Sequence, residues 1–589
     1  MKTLSSFSLC TGAVVLAAIG TLAQSGAPQR QATPQADISY QQGMKDVQRG
    51  DLPGARTAFE QAVKLAPKSA EAHNSLGWVL LSQGHIEDAV AQLKTAVKLG
   101  PKLLQARINL ANALVRHRDL SGAETQAREA VRLDPASAEA HRTPGRVLSF
   151  QKKLAEATAE LARAVELEPS RAELRDEYGS LLVQGQQNEK AAQQFSEALR
   201  LSPEFGVAKF HLGLLRWQEQ QLDEAQKLLE SATALLPESA QAHFYLARVL
   251  EDRGARDQAV RELQTAVKLQ PDWPEAQTRL GQLLQRQNDI EAALRALHRA
   301  AQLQPDNPDA HNNLGLAMVQ AGQAPQSIAE FQAALRLRPE DPGYRANLGI
   351  AYLQQADFDT AITQFQTALK ATPGDATLHY NLGLALKLKD QLPEALAELR
   401  KAEELDPSQP DVHYTLGVTR WQQGAFDDAV KELRAAISAR ADYAEAYYTL
   451  GTVQKQQGKL QEAADALREA IRLQPNFAGA HTTLASVLRA LGDNQGAAAE
   501  ARTGAQIGQQ ATGLQAATLA TSSGRRLLDA GDLDGAITQF RSAINSSPNF
   551  AQAHYQLAIA LRRKGDKEEA AREFRKAAEL DSQLAPPAS

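Results

Sequence analysis

Proline recurs at positions 67, 101, 135, 169, 203, 237, 271, 305, 339, 373 and 407, then at 475, every interval being 34 residues or twice 34. A register held over 408 residues without insertion or deletion points to one kind of fold, in which short similar units stack on one another. With that proline at position 32, the units begin at Ala36 and run 36–69, 70–103 and onward to 478–511, fourteen in all. Five extra residues, 512–516, precede two more units, 517–550 and 551–584. A length of 589 residues would by size alone suggest about four domains; the register divides it into sixteen small units instead.

Within the unit, position 20 is Ala in fifteen of sixteen cases, with Ser327 the exception, and position 27 is Ala in fifteen, with Gly504 the exception. Position 8 is always Gly or Ala, position 7 is usually Leu, and position 24 is mostly Leu or Phe. This spacing predicts two antiparallel helices, roughly positions 1–14 and 15–28, with position 8 of the first packed against position 20 of the second. Glycine inside a helix costs about 1 kcal/mol relative to Ala, so its recurrence implies close helix approach. Of 25 prolines, 13 stand at position 32, four open a first helix (Pro274, Pro308, Pro342, Pro410) and three start a second (Pro53, Pro325, Pro393). Those are places where a missing N–H is tolerated. Pro144 replaces the position-7 Leu of the fourth unit, and a mid-helix proline predicts a kink costing about 3 kcal/mol.

Composition narrows the function classes. A formal charge of -5 gives no cationic excess to neutralise phosphates, so nucleic acid is not an expected partner. The only cysteine, Cys10, falls inside an expected leader, which leaves no disulfide, thiolate metal site or cysteine nucleophile. That leader is residues 1–23: Lys2, an apolar run from Leu9 to Leu22, and small residues before Gln24, the pattern of a secretory signal peptide. Residues 24–35 read as a disordered tether and 585–589 as a tail. The expectation is an exported protein, periplasmic or secreted, in a bacterial setting. No later segment is apolar enough to insert in a membrane.

The 34-residue unit with small residues at 8, 20 and 27 and proline at 32 resembles the tetratricopeptide repeat (TPR), over residues 36–584. The resemblance implies an all-α fold, a right-handed superhelical solenoid of antiparallel helix pairs, with positions 2, 5, 9, 12 and 13 of the first helix lining a concave face. On that map position 5 is Tyr380, Tyr414 and Tyr448 in three successive units, flanked at position 12 by Lys387, Trp421 and Lys455. A second aromatic cluster holds Phe210, Leu214 and Trp217, with Phe244 in the next unit. Position 6 is Asn at 109, 313, 347 and 381. Protein O-GlcNAc transferases have a similar asparagine ladder in their TPR superhelix, where amides hold an extended polypeptide; here the likeness is to the repeats without the catalytic domain. Asn313, Asn347 and Asn381 therefore join the candidate ligand-binding residues. The chaperone-binding carboxylate clamp of the family is absent, since position 5 never carries Lys and position 2 is mostly acidic or small.

Signs of chemistry are few. Eight of twelve histidines, at 73, 141, 243, 311, 379, 413, 481 and 554, occupy position 4, a periodicity that argues for packing and against a metal site. Gly451 to Lys459 superficially resembles a phosphate loop but has the wrong spacing and no Ser or Thr after Lys459. Acids at position 2 and Lys or Arg at position 29 suit the helix dipole. Neither a catalytic residue, nor a cofactor, nor a metal ligand is expected, and the chain does not read as an enzyme. Unit 14 loses several signature residues (Ala485, Ala501, Gly504, Gln509), which predicts a hinge insertion at 512–516 dividing units 1–14, residues 36–511, from units 15–16, residues 517–584. The leading functional expectation is a non-enzymatic scaffold binding protein segments on the concave face. A glycan-binding adaptor of a polysaccharide export system and a regulatory partner of a glycosyltransferase remain alternatives.

Overall fold

The computed structural model describes residues 33–582 and 584. The expected signal peptide, most of the tether and the tail 585–589 lie outside them. Among the described residues there are 31 α-helices and no strand. They form two compact blocks, residues 33–304 with units 1–8 and residues 305–584 with units 9–16.

Each unit is a pair, helix A at positions 1–13 and helix B at positions 17–30, as in Ala70–Ser82 and Ile86–Leu99. Helix B thus starts two residues later than the spacing predicts. The reason is position 15, which has positive φ in all sixteen units, from Gly50 to Gly565. Nine of these residues are Gly; the other seven are Arg118, Lys152, Gln186, Gln220, Asn288, Ala356 and Asp390, which accept a backbone conformation that L residues resist. Position 16 then often caps helix B: the Asp51, Asp119 and Asp357 carboxylates accept from the backbone N–H three residues on. Ser or Asp at position 34 does the same for the next helix A, as at Ser69, Ser137 and Asp375. The first helix begins at Pro34, capped by Thr33, so the last residues of the expected tether are helical.

Within each block helix A packs on its own helix B and also touches helix A of the next unit, as Ala70–Ser82 touches Leu104–Arg116. The core lies between the layers. Phe59, Phe195, Phe331, Phe365 and Phe540, all at position 24, are fully buried. Position 8 faces this position-24 side chain together with the backbone carbonyl of position 20, so the expected pairing with position 20 is shared with position 24. A Cβ on Gly77 would lie 2.9 Å from Leu93 Cδ2 and 3.3 Å from the Ala89 carbonyl oxygen. The alanines at position 20 are small because helix A crosses directly over them. Position 8 carries a Cβ in four units: Ala111 and Ala485 stand opposite the small Ala127 and Ala501, while Ala247 and Ala558 stand opposite Leu263 and Phe574.

Helix Ala138–Phe150 runs continuously through Pro144, with Thr143 Oγ1 donating to the Glu139 carbonyl at 2.8 Å. The hinge expected at 512–516 differs from the structure. Helix B of unit 14 and helix A of unit 15 merge into one 36-residue helix, Asn494–Asp529, and the whole stretch belongs to one block. Gln509 stands where thirteen units have proline 32 and permits the helix to continue, although Ala441 in the same place of unit 12 follows a helix that ends at Ala439. Gly513 serves close approach, since the Ser546 carbonyl lies where a Cβ would be.

Candidate functional site

Helix A side chains couple successive units by a fixed rule: position 5 of one unit meets position 6 of the next. Asn109 Nδ2 donates to Asn74 Oδ1 at 2.9 Å, Asn347 Nδ2 to Asn312 Oδ1 at 2.8 Å, and Tyr40 Oη lies 3.2 Å from Ser75 Oγ. Arg142 and Glu177 make the same step as a half-buried ion pair, burial opposing both charges and each partner restoring the other's. Position 12 meets position 13 likewise, with Trp217 Nε1 donating to Asp252 at 2.7 Å and Trp421 Nε1 to Gln456 at 2.6 Å.

This rule sorts the candidate residues. Asn347 spends an amide proton on Asn312, while Asn313 and Asn381 are half-buried on the same face. Phe210 and Phe244 are core residues, 6% and 1% exposed, and cannot present a ring to a ligand. Phe244 packs on Trp273 at 4.4 Å, and Arg248 lies 5.1 Å over the half-buried Trp217, so this earlier cluster is a packing node. The physical cause is that position 5 turns inward where its neighbours are apolar.

Units 11–13 differ. Tyr380, Tyr414, Tyr448, Trp421, Lys387 and Lys455 are all half-buried, each keeping part of its surface in solvent. Burial pushes the Tyr380 hydroxyl up despite its hydrogen bond with Thr415, and burial alone pushes Lys387 down. Tyr414 stacks on Tyr443 at 5.1 Å and Tyr448 on Phe477 at 4.7 Å. Beside Tyr414 an open depression of about 510 Å³ is lined by Asp411, Tyr414, Arg440, Asp442, Tyr443 and Glu445. Asp411 organises its floor, accepting from Arg440 at 2.6 Å and from the Tyr443 hydroxyl at 2.8 Å. The Arg440 guanidinium lies 3.7 Å over the Tyr443 ring, which keeps it flat, and its Nε has no hydrogen-bond partner. Burial and the Asp411 carboxylate push the Tyr443 hydroxyl well above its ordinary value. Asp442 and Glu445 are exposed at the rim. The arrangement offers an apolar ring face, an oriented cation and an acidic edge, the features by which a surface takes up a peptide side chain and its backbone.

Tyr443 and Arg440 are residues that reading helix A alone overlooks, whereas Asp411 stands at position 2 of helix A. A signal exists: position 34 is aromatic in five units, as Phe205, Trp273, Tyr443, Phe477 and Phe550.

The position-4 histidines form a second system. In all eight, Nε2 lies 2.9–3.2 Å from the carbonyl of the preceding proline 32. In seven, Nδ1 faces a glutamate at position 23; His73 faces Gln92. They clasp one unit to the next.

Models of the tetratricopeptide repeat match residues 40–103, 278–342, 347–410, 414–476, 448–512 and 522–585, and a second such model matches 216–283. No curated protein matches the chain. Similar solved structures include the Cut9–Hcn1 hetero-tetramer of the APC/C, 16% identical over 90% of this chain and 97% of that one, with a TM-score of 0.35. Yeast Tom70 is 18% identical over 72% and 96%, at 0.31. Pseudomonas aeruginosa PilF is 23% identical over 35% and 95%, at 0.32.

Proposed function

The chain belongs to the tetratricopeptide-repeat family, whose arrays are protein–protein interaction scaffolds, and on that premise we propose that it binds an extended protein segment on the helix A face of units 11–13. The observation that carries the reading is the Asp411–Arg440–Tyr443–Tyr414 cluster. There an aromatic floor and an arginine are held in place by one carboxylate beside an open depression. An apolar side chain of a bound segment covers the rings, and the Asp411-held guanidinium edge stands beside it. The acidic rim at Asp442 and Glu445 favours a segment with a neighbouring Lys or Arg. In this reading the protein works as a non-enzymatic scaffold in the cell envelope or outside the cell, delivered there by residues 1–23.

The test is selection of a random peptide library on the full chain, repeated on a Tyr414→Ala, Trp421→Ala variant with unchanged circular dichroism. Peptides that share an apolar anchor beside a basic residue and lose binding to the variant support the site. Peptides that bind both proteins equally place the binding face elsewhere. Cell fractionation with sequencing of the mature N-terminus tests export, which fails if the chain retains Met1 and stays with the cytoplasm.

A further inference from the structure

Position 28 is apolar or Thr in every unit but one: Val63, Val97, Val131, Val165, Leu199 and their counterparts, against Glu403 in unit 11. Several of these side chains pack partly buried against their cores, among them Val63, Val97, Leu199 and Leu369. A carboxylate in that place needs compensation, and it faces the clasp of the next unit. Glu403 Oε1 lies 3.6 Å from His413 Nδ1, while Glu432 Oε2 lies 3.1 Å from the same nitrogen. In the other six His–Glu clasps the Nδ1–carboxylate distance is 2.5–2.7 Å, with one acid each. The clasp with two acids is thus longer by about half an ångström. Among the described residues no other trio of His, Cys, Asp or Glu brings its ligand atoms together so, all within 4.8 Å of one another.

We propose that Glu403, His413 and Glu432 form a binding site for a divalent first-row transition-metal ion of the zinc type, joining unit 11 to unit 12. Ligand atoms about 2.0–2.2 Å from a tetrahedral zinc stand about 3.3–3.6 Å apart. Nδ1 lies 3.6 Å from Glu403 and 3.1 Å from Glu432, and all three ligand atoms lie within 4.8 Å of one another, so side-chain shifts of a few tenths of an ångström to about one ångström bring them to that spacing. His413 Nε2 donates to the Pro407 carbonyl at 3.0 Å, which turns the Nδ1 lone pair toward the two acids as an outer-shell partner does in metal sites. Two carboxylates and a neutral imidazole carry a charge that a divalent cation cancels, whereas a proton on the ring cancels half of it. An imidazole ligand favours zinc or its neighbours over magnesium and calcium, which take oxygen. Glu403 is about one-third exposed, so the fourth position opens to water and the ion has a way in.

The experiment is calorimetric titration of the untagged full chain with Zn2+, followed by absorption of the Co2+ form. The expected result is one equivalent bound, with visible Co2+ bands of a four-coordinate site. Glu403→Leu restores the repeat's own residue type and so keeps the fold; it should weaken Zn2+ about tenfold or more and abolish the bands. His379→Asn, which removes a clasp with one acid, should leave both unchanged. No saturable Zn2+ binding, or binding unaffected by Glu403→Leu, overturns the site and leaves Glu403 as a second ion-pair partner of His413.

Discussion

Replacing Gly349 by Ala tests the packing logic of the repeat. The new Cβ would lie 2.6 Å from Phe365 Cε1 and 2.9 Å from Cδ1 and Cζ, where ordinary contact is 3.4–4 Å. Phe365 is fully buried, so its ring has no solvent to swing into. Overpacking of this kind costs about 1–3 kcal/mol, and Ala recovers about 1 kcal/mol of helix propensity over Gly. The net destabilisation should be about 1 kcal/mol. Phe365→Leu alone leaves a void and should cost about 1–2 kcal/mol. The double variant recreates the Ala–Leu pair that unit 7 has in Ala247 and Leu263, both buried, so it should be more stable than the sum of the two by about 1 kcal/mol. A long repeat array does not unfold in two states, so the assay is native-state hydrogen exchange, read on helices Pro342–Gln354 and Phe358–Ala371. Coupling below about 0.3 kcal/mol, or a Gly349→Ala variant stabilised by its full helix propensity, refutes the claim that position 8 is small because position 24 fills its space.

Pro144→Leu returns the usual residue to position 7 and restores a backbone donor for the Ala140 carbonyl, and exchange of helix Ala138–Phe150 should slow by the equivalent of up to about 3 kcal/mol. Ala356→Gly relieves a φ of 58° and should raise the local stability of unit 10 by about 1 kcal/mol, measured as slower exchange around the turn. Burial works against a charge on His413, but the hydrogen bonds with Glu432 and the Pro407 carbonyl, with Glu403 beyond, lift it above 6.5. A group raised on folding stabilises fully below its unfolded value, so this contribution is whole below about pH 6.5 and fades as pH rises through the folded value. In metal-free buffer, exchange of helix Pro410–Gln422 should quicken across that window in the native chain and not in His413→Gln.

How much of this was legible depends on whether a residue acts through its period or through its neighbours in space. Positions 8, 20, 24, 27 and 32 repeat because every unit solves the same packing problem, and the helix pairs could be read from them. The left-handed turn at position 15 was half visible: nine glycines mark it, but Arg118, Gln186 and Ala356 carry no such mark and are held there by the helices on either side. The histidines read as packing, yet their partners stand 6 and 19 residues away, distances that no single helix face joins. Tyr443 and Arg440 sit in the turn between units, outside the helical template. Phe244 differs for the opposite reason: the template gives it a facing direction that its apolar neighbours reverse. A strict repeat therefore hides function in its departures. What all sixteen units share builds the array and cannot distinguish one stretch of it from another. The stacked Arg440 over Tyr443 in unit 12, and Glu403 of unit 11 reaching His413 of unit 12, are departures that the shared packing does not require, and it is on these departures that the proposed ligands are placed.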